Sequence, residues 1–163
     1  MSNNDSTKNE NAQFAVNVAN WIADSNYCVA NEAELIAALN DAEDNGADDT
    51  IKIQQGTYYG NFVYASAEPF GVTIEGGYSD DLCTVRDVDP ANTVLDGGEI
   101  GIVLALSAPI VVVNFVVDGL TIQNGKVTGY NNGGGIFAEN SGTFSLTNSA
   151  ISNYVANGPI SLK

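Results

Sequence analysis

The feature that most constrains this chain is a recurring short run, apolar at alternate positions, that ends in a small or amide residue. Five hexapeptides align: IKIQQG at 51–56, VTIEGG at 72–77, TVLDGG at 93–98, LTIQNG at 120–125 and FSLTNS at 144–149. Their third positions, Ile53, Ile74, Leu95, Ile122 and Leu146, are 21, 21, 27 and 24 residues apart. Alternation with a period of two is a strand signal, whereas a strand, a crossover helix and a return strand need about 30 residues. No interval between the runs shows helical periodicity, and hairpin signals are poor. The spacing therefore predicts a coil of parallel strands in which each turn stacks on the last at about 4.8 Å.

In such a coil the five aliphatic third positions are expected to form one internal stack, with glycine and asparagine turning the corners because both tolerate positive φ. Asn124 and Asn148 fall at equivalent places and are expected to stack amide on amide. The runs 62–64, 103–106, 110–113, 115–117 and 135–138 are expected to supply the other walls. Ahead of the repeats, one helix is predicted over 31–45. Asn31 caps its first turn with Glu34 three residues on, Leu35, Ile36 and Leu39 give an apolar stripe, and Gly46 ends it. Residues 1–12 read as a disordered tail. Phe14, Val16 and Val18 alternate with small or polar residues and predict a strand within 13–24. The chain from 13 to 163 is expected to form a single domain, with its turns over 48–163.

Composition narrows the function classes. Across 163 residues there are 20 acidic and 5 basic side chains and no histidine, a formal charge of −15. Five scattered bases cannot supply the cationic footprint that displaces counterions from nucleic acid, and binding to anionic membranes is disfavoured likewise. Without histidine there is no Ser-His-Asp or Cys-His system and no His-ligated metal. No cofactor is required; any metal is expected to be hard and oxygen-bound, calcium first. With 44% hydrophobic residues the chain can still bury a core. The polar opening stretch lacks the apolar run of a signal peptide. The longest apolar stretch, 100–117, is broken by Gly101, Ser107, Pro109 and Asn114, so no insertion into a membrane is expected.

From about Tyr27 onward the sequence resembles the right-handed parallel β-helix superfamily, the fold of pectate lyases, and within it secreted or surface-displayed bacterial repeat proteins of the polymorphic outer-membrane type. The resemblance rests on CVANEAELIAAL (28–39) leading to DDTIKIQQGTY (48–58), then TIEGGY (73–78), DPANTVLDGG (89–98), FVVDGLTIQNG (115–125) and GGGIFAENSGTFSLTNSAISN (133–153). It implies an all-β, right-handed parallel β-helix of about five rungs, with an amino-terminal α-helix capping the first. It also implies a secreted or cell-surface protein whose leader is absent from this sequence. Since family members run for more rungs, the chain looks like an amino-terminal portion or a short unit.

Several candidate sites follow. Asp80, Asp81, Asp87, Asp89 and Asn92 place oxygen donors in a proline-containing loop and are the calcium candidates, against ordinary turn chemistry. The only arginine, Arg86, lies among them. The polysaccharide lyases of the resembled fold use calcium and a basic residue to remove a sugar proton, and Arg86 is the residue for that role. Asp96 with Asp118 is a conceivable glycosidase pair that no spacing rule marks. Tyr58, Tyr59, Tyr64 and Tyr78 suit a carbohydrate-binding surface, against packing of loops onto the coil. Cys28 and Cys83 pair as a disulfide or remain two buried thiols. Phe14, Val16 and Val18 add to the cap of their own molecule or pair with a second copy. The leading functional expectation is a non-enzymatic extracellular or cell-surface structural or adhesive module that self-associates end to end into filaments. The other is a carbohydrate-active enzyme, or its sugar-binding remnant, that meets cell-surface polysaccharide.

Overall fold

The computed structural model describes residues 26–128, 133–140 and 142–157. The tail expected over 1–12 and the strand expected within 13–24, with Phe14, Val16 and Val18, lie outside them. β1 (Asn26–Val29) leads into α1 (Glu32–Ala42), and the rest of the described chain is short strands. These are β2 (Asp49–Gln54), β3 (Gly56–Tyr59), β4 (Phe62–Ala65), β5 (Val72–Tyr78), β6 (Thr93–Asp96), β7 (Leu104–Ala108) and β8 (Phe115–Asp118). After them come β9 (Thr121–Gln123), β10 (Lys126–Thr128), β11 (Ile136–Asn140), β12 (Phe144–Thr147), β13 (Ala150–Ser152) and β14 (Val155–Asn157).

All the strand pairs are parallel. The first sheet runs β1-β2-β5-β8-β12, the second β13-β9-β6-β3 and the third β11-β7-β4, with β10 and β14 as a separate pair. The chain therefore visits the sheets in rotation: β2, β3 and β4 occupy the first, second and third, and β5, β6 and β7 repeat the order.

This pairing corrects the expected fold class. In place of an all-β, right-handed parallel β-helix of about five rungs, the described chain has three small parallel sheets and one helix, a strand polarity nearer to α/β. The expected single stack does not form. Ile74 and Leu146 lie in the first sheet, Leu95 and Ile122 lie in the second, and Ile53 sits opposite Val29 of β1. The reason is physical: a buried parallel strand that ends in a glycine or amide corner carries the same pattern in whichever sheet it lies. Asn124 and Asn148 do take positive φ, +56° and +46°, but they end strands of different sheets and so cannot stack on each other. The run 110–113 is not a strand, and Ile110 and Val112 are exposed beside Pro109.

The rows that do form are set by register. Ile51, Ile74, Val117 and Leu146 are consecutive partners, as are Tyr58, Leu95, Ile122 and Ile151. A third row runs Asp49, Val72, Phe115, Phe144, and a fourth Phe62, Leu104, Ile136. Their inner members make one buried apolar cluster, where truncation such as Leu95→Ala typically costs about 2–5 kcal/mol.

α1 covers the β1–β2–β4 end of this cluster. Asn31 Oδ1 accepts from the Glu34 amide at 3.0 Å, and the Glu34 carboxylate reaches back to accept from the Ala30 amide at 2.8 Å. That satisfies amides the first turn leaves unpaired. The buried stripe is Leu35, Ala38, Leu39 and Ala42, the 3–4 spacing of one helix face; Ile36, expected inside, is 46% exposed.

Candidate functional site

The outer face of the first sheet holds the one place among the described residues where a single cation meets two carboxylates. Parallel register puts Lys52, Glu75, Asp118 and Thr147 side by side on β2, β5, β8 and β12. Over this row lies the connection from β5 to β6. It turns back so that Arg86 bridges antiparallel to Tyr78 and the Asp87 amide donates to the Gly77 carbonyl at 2.9 Å. Gly77 has φ +99°, and a Cβ there would overlap the Asp87 carbonyl, so only glycine admits the loop this close.

Arg86 spends its guanidinium on the sheet. Its Nη2 lies 2.7 Å from Asp118 Oδ2 and donates to the Asp118 carbonyl at 3.1 Å, its Nε donates to the Gly76 carbonyl at 2.9 Å, and its Nη1 is 3.6 Å from Glu75 Oε1. Tyr78 donates its hydroxyl to Glu75 Oε2 at 2.6 Å, and its ring faces both Arg86 and Lys52. Asp118 Oδ1 also accepts from Thr147 Oγ1 at 2.6 Å and Asn148 Nδ2 at 2.7 Å, so this carboxylate ties β8 to β12 while Arg86 ties it to β5. Burial opposes the charge on Asp118, but the bonds from Thr147, Asn148 and Arg86 outweigh it and hold the carboxyl below its ordinary range. Burial, then the bond to Glu75, pushes the Tyr78 hydroxyl up to about 12.

Arg86 is thus a clamp, with Nε and Nη2 bonded to the sheet and Nη1 beside Glu75, rather than a base facing open solvent. Asp96, at the end of β6, is equally occupied. It accepts from the Gly98 amide, Gln123 Nε2 and Asn124 Nδ2 at 2.8–2.9 Å, and lies in a different sheet from Asp118. The two do not form a carboxylate pair.

The calcium candidates lie in the same connection but do not converge. Asp80 accepts from the Thr84 and Val85 amides at 2.8 and 2.7 Å and from Thr84 Oγ1 at 2.7 Å, and these bonds, the Val85 amide foremost, hold its carboxyl below the usual range. Asp89 accepts from the Ala91 amide at 2.9 Å and caps the 3-10 turn Pro90–Asn92. Asp81 and Asp87 point to solvent, and Asn92 donates to the Asp87 carbonyl. Among the described residues no group of three or more acidic or cysteine side chains is placed to hold a metal.

The four tyrosines do not form a sugar platform. Tyr58, Tyr64 and Tyr78 are buried and only Tyr59, 66% exposed, presents its ring. Tyr58 donates to the Gln54 carbonyl at 3.0 Å, and Tyr64 packs edge-on against Phe115. Tyr58 and Tyr64 alternate inward into the core, whereas Tyr78 is covered on the outer face by Arg86 and Lys52; the clustering of aromatics in sequence hid both. Cys28 and Cys83 form a disulfide, with Cα atoms 5.7 Å apart, that pins β1 to the loop carrying Arg86.

Residue-type reasoning missed Glu75 and Thr147 beside Arg86, and it missed Asp49. Asp49 opens the inward row of β2 directly beneath α1; Oδ1 accepts from Asn45 at 2.8 Å, while Oδ2 is buried without a partner. The alternation of β2, read two residues back from Ile51, would have placed it inside. No family model matches the chain, and no curated protein and no solved structure matches it.

Proposed function

We propose that this chain is a non-enzymatic structural or adhesive module of the cell exterior. The observation that carries the reading is the clamp of Arg86 over the Glu75–Asp118–Thr147 row. The strongest charge cluster in the described chain is spent bonding neighbouring strands and a loop together: Arg86 and both carboxylates, Glu75 and Asp118, are engaged with one another and with Tyr78 and Thr147. The disulfide supports an oxidising compartment, and the resemblance of the repeated runs to those of secreted and surface-displayed bacterial repeat proteins points the same way. No described helix is long and apolar enough to cross a membrane.

The test is incubation with polygalacturonate and calcium, following unsaturated product in the ultraviolet, together with reducing-sugar release from neutral glycans. The expected result is no turnover with the wild-type chain. Product formation that disappears in Arg86→Ala would replace the module with the carbohydrate-active enzyme.

A further inference from the structure

Among the described residues, Asp49 Oδ2 is the one buried side-chain oxygen or nitrogen without a hydrogen-bond partner. Asp49 is 2% exposed and lies where β1, the end of α1 and β2 meet. Its other oxygen ends a chain of donors that crosses these elements. Tyr27 of β1 donates its hydroxyl to Asp41 Oδ2 of α1 at 2.8 Å, and Asn45 Nδ2 donates to the Tyr27 hydroxyl at 2.9 Å and to Asp49 Oδ1 at 2.8 Å. Asn45 Oδ1 accepts from the Ala47 amide at 3.0 Å, which keeps the donors of that side chain turned towards Tyr27 and Asp49.

The groups that face this carboxyl add charge of its own sign. Asp41 from α1, Asp48 before it on the chain and Glu68 from the connection between β4 and β5 are acids, while Tyr27 of β1 and Tyr64 of β4 are phenols. The described ion pairs belong to Arg86 and Lys126, so no described base is paired with these acids. Burial foremost raises the Asp49 carboxyl, Asp41, Asp48 and Glu68 push the same way, and the Asn45 bond opposes them. The element able to yield is α1. Its amino end is held by the Asn31–Glu34 cap beside β1, which the disulfide ties to Cys83. Its carboxyl end is tied to β4 through Glu43, which accepts from the Ala65 amide and the Ser66 hydroxyl, and its polar tie to β2 runs through Asn45 and Asp49. A helix of 11 residues is marginal by itself, so its seat on β2 decides how often its end opens.

We propose that Asp49 is a proton-operated latch on the helix cap: with its carboxyl neutral the end of α1 stays seated on β2, and with it ionised that end opens more readily while the middle strands stay paired. An ionised Asp49 leaves a charge with one oxygen unbonded beside three acids, and water reaches that oxygen only when the helix end moves off β2. In the open form the solvated carboxyl returns to its ordinary value of about 3.9, below its value in the closed form, so opening becomes easier as pH rises through the closed-form titration. The latch goes beyond the module reading and does not depend on it.

The experiment is residue-resolved amide hydrogen exchange of the full chain between pH 4 and pH 8, corrected for the intrinsic rate at each pH, with the Asp49 carboxyl carbon followed by NMR over the same range. Residues 38–48 are expected to open several-fold more often at pH 8 than at pH 4, in step with the carboxyl titration, and to exchange faster than β5 and β8 throughout. Asp49→Asn, whose amide oxygen can keep the Asn45 bond, is expected to flatten that dependence. Glu68→Gln can still accept from the Gly46 amide, and is expected to keep the transition while moving its midpoint to lower pH, a shift that a merely structural role would not give. Three results would each overturn the latch: opening of 38–48 that ignores pH or occurs only together with β5 and β8, the same pH dependence in Asp49→Asn, or an Asp49 carboxyl that titrates at or below about 3.9.

Discussion

At the scale of single residues, polar groups do opposite jobs according to whether register gives them partners. Asp118 is held by three side chains and its carboxyl sits below the ordinary range, so its stabilisation is present above the unfolded carboxyl pKa, about 3.9, and is lost as pH falls through the lower folded value. Removing one side of its largely shielded pair leaves the other charge uncompensated. Arg86→Met is therefore expected to cost about 2–3 kcal/mol, below the range for fully buried pairs because the guanidinium keeps some solvent, as urea unfolding would read it. Asp49 is the reverse. Burial foremost raises its carboxyl above the usual range, so its contribution is favourable below about pH 4 and is lost as pH rises through the folded value. Asp49→Asn is expected to stabilise the protein at neutral pH by about 1 kcal/mol, with the gain shrinking on acidification. Melting curves of both forms at pH 7 and pH 4 check this, and a variant less stable at pH 7 would refute it. Tyr78, with its hydroxyl near 12, adds a second window: the outer face of the first sheet loosens between about pH 10 and 12.

At the scale of elements, the sequence disclosed strands and corners better than it disclosed which strand lies beside which. The helix was legible because capping is local: Asn31 and Glu34 bond within their own turn, and the stripe needed only Ile36 exchanged for Ala38 and Ala42. Sheet membership was not legible, because the connection from β5 to β6 is long and the true partners Ile51, Ile74, Val117 and Leu146 are unevenly spaced. The charged row was hidden for the same cause, since Glu75 and Asp118 meet only through register. That long connection is pinned at Cys83 by the disulfide to Cys28, across a sequence separation of 55. Reduction is expected to lower stability by about 4 kcal/mol on the loop-closure scale. Hydrogen exchange should then speed first in 79–89 and β1, and equal exchange in oxidised and reduced forms would contradict the pinning.

At the scale of the whole molecule, the described strands stack from a helix-covered end to the outermost strands β11, β12 and β13, each with a strand neighbour on one side among the described residues. Protection should follow that axis. β2, β5 and β8, β6 and β9, and β7 have partners on both sides within their sheets, whereas β11, β12 and β13 each have one among the described residues. Local opening therefore needs least free energy at the last strands and most in the middle ones. The most direct measurement is residue-resolved amide hydrogen exchange at a dilution where the chain is monomeric. Slowest exchange is expected in β2, β5, β8, β6, β9 and β7, and fastest in β11, β12 and β13. Uniform protection, or slowest exchange in β12 and β13 of the monomer, would contradict it.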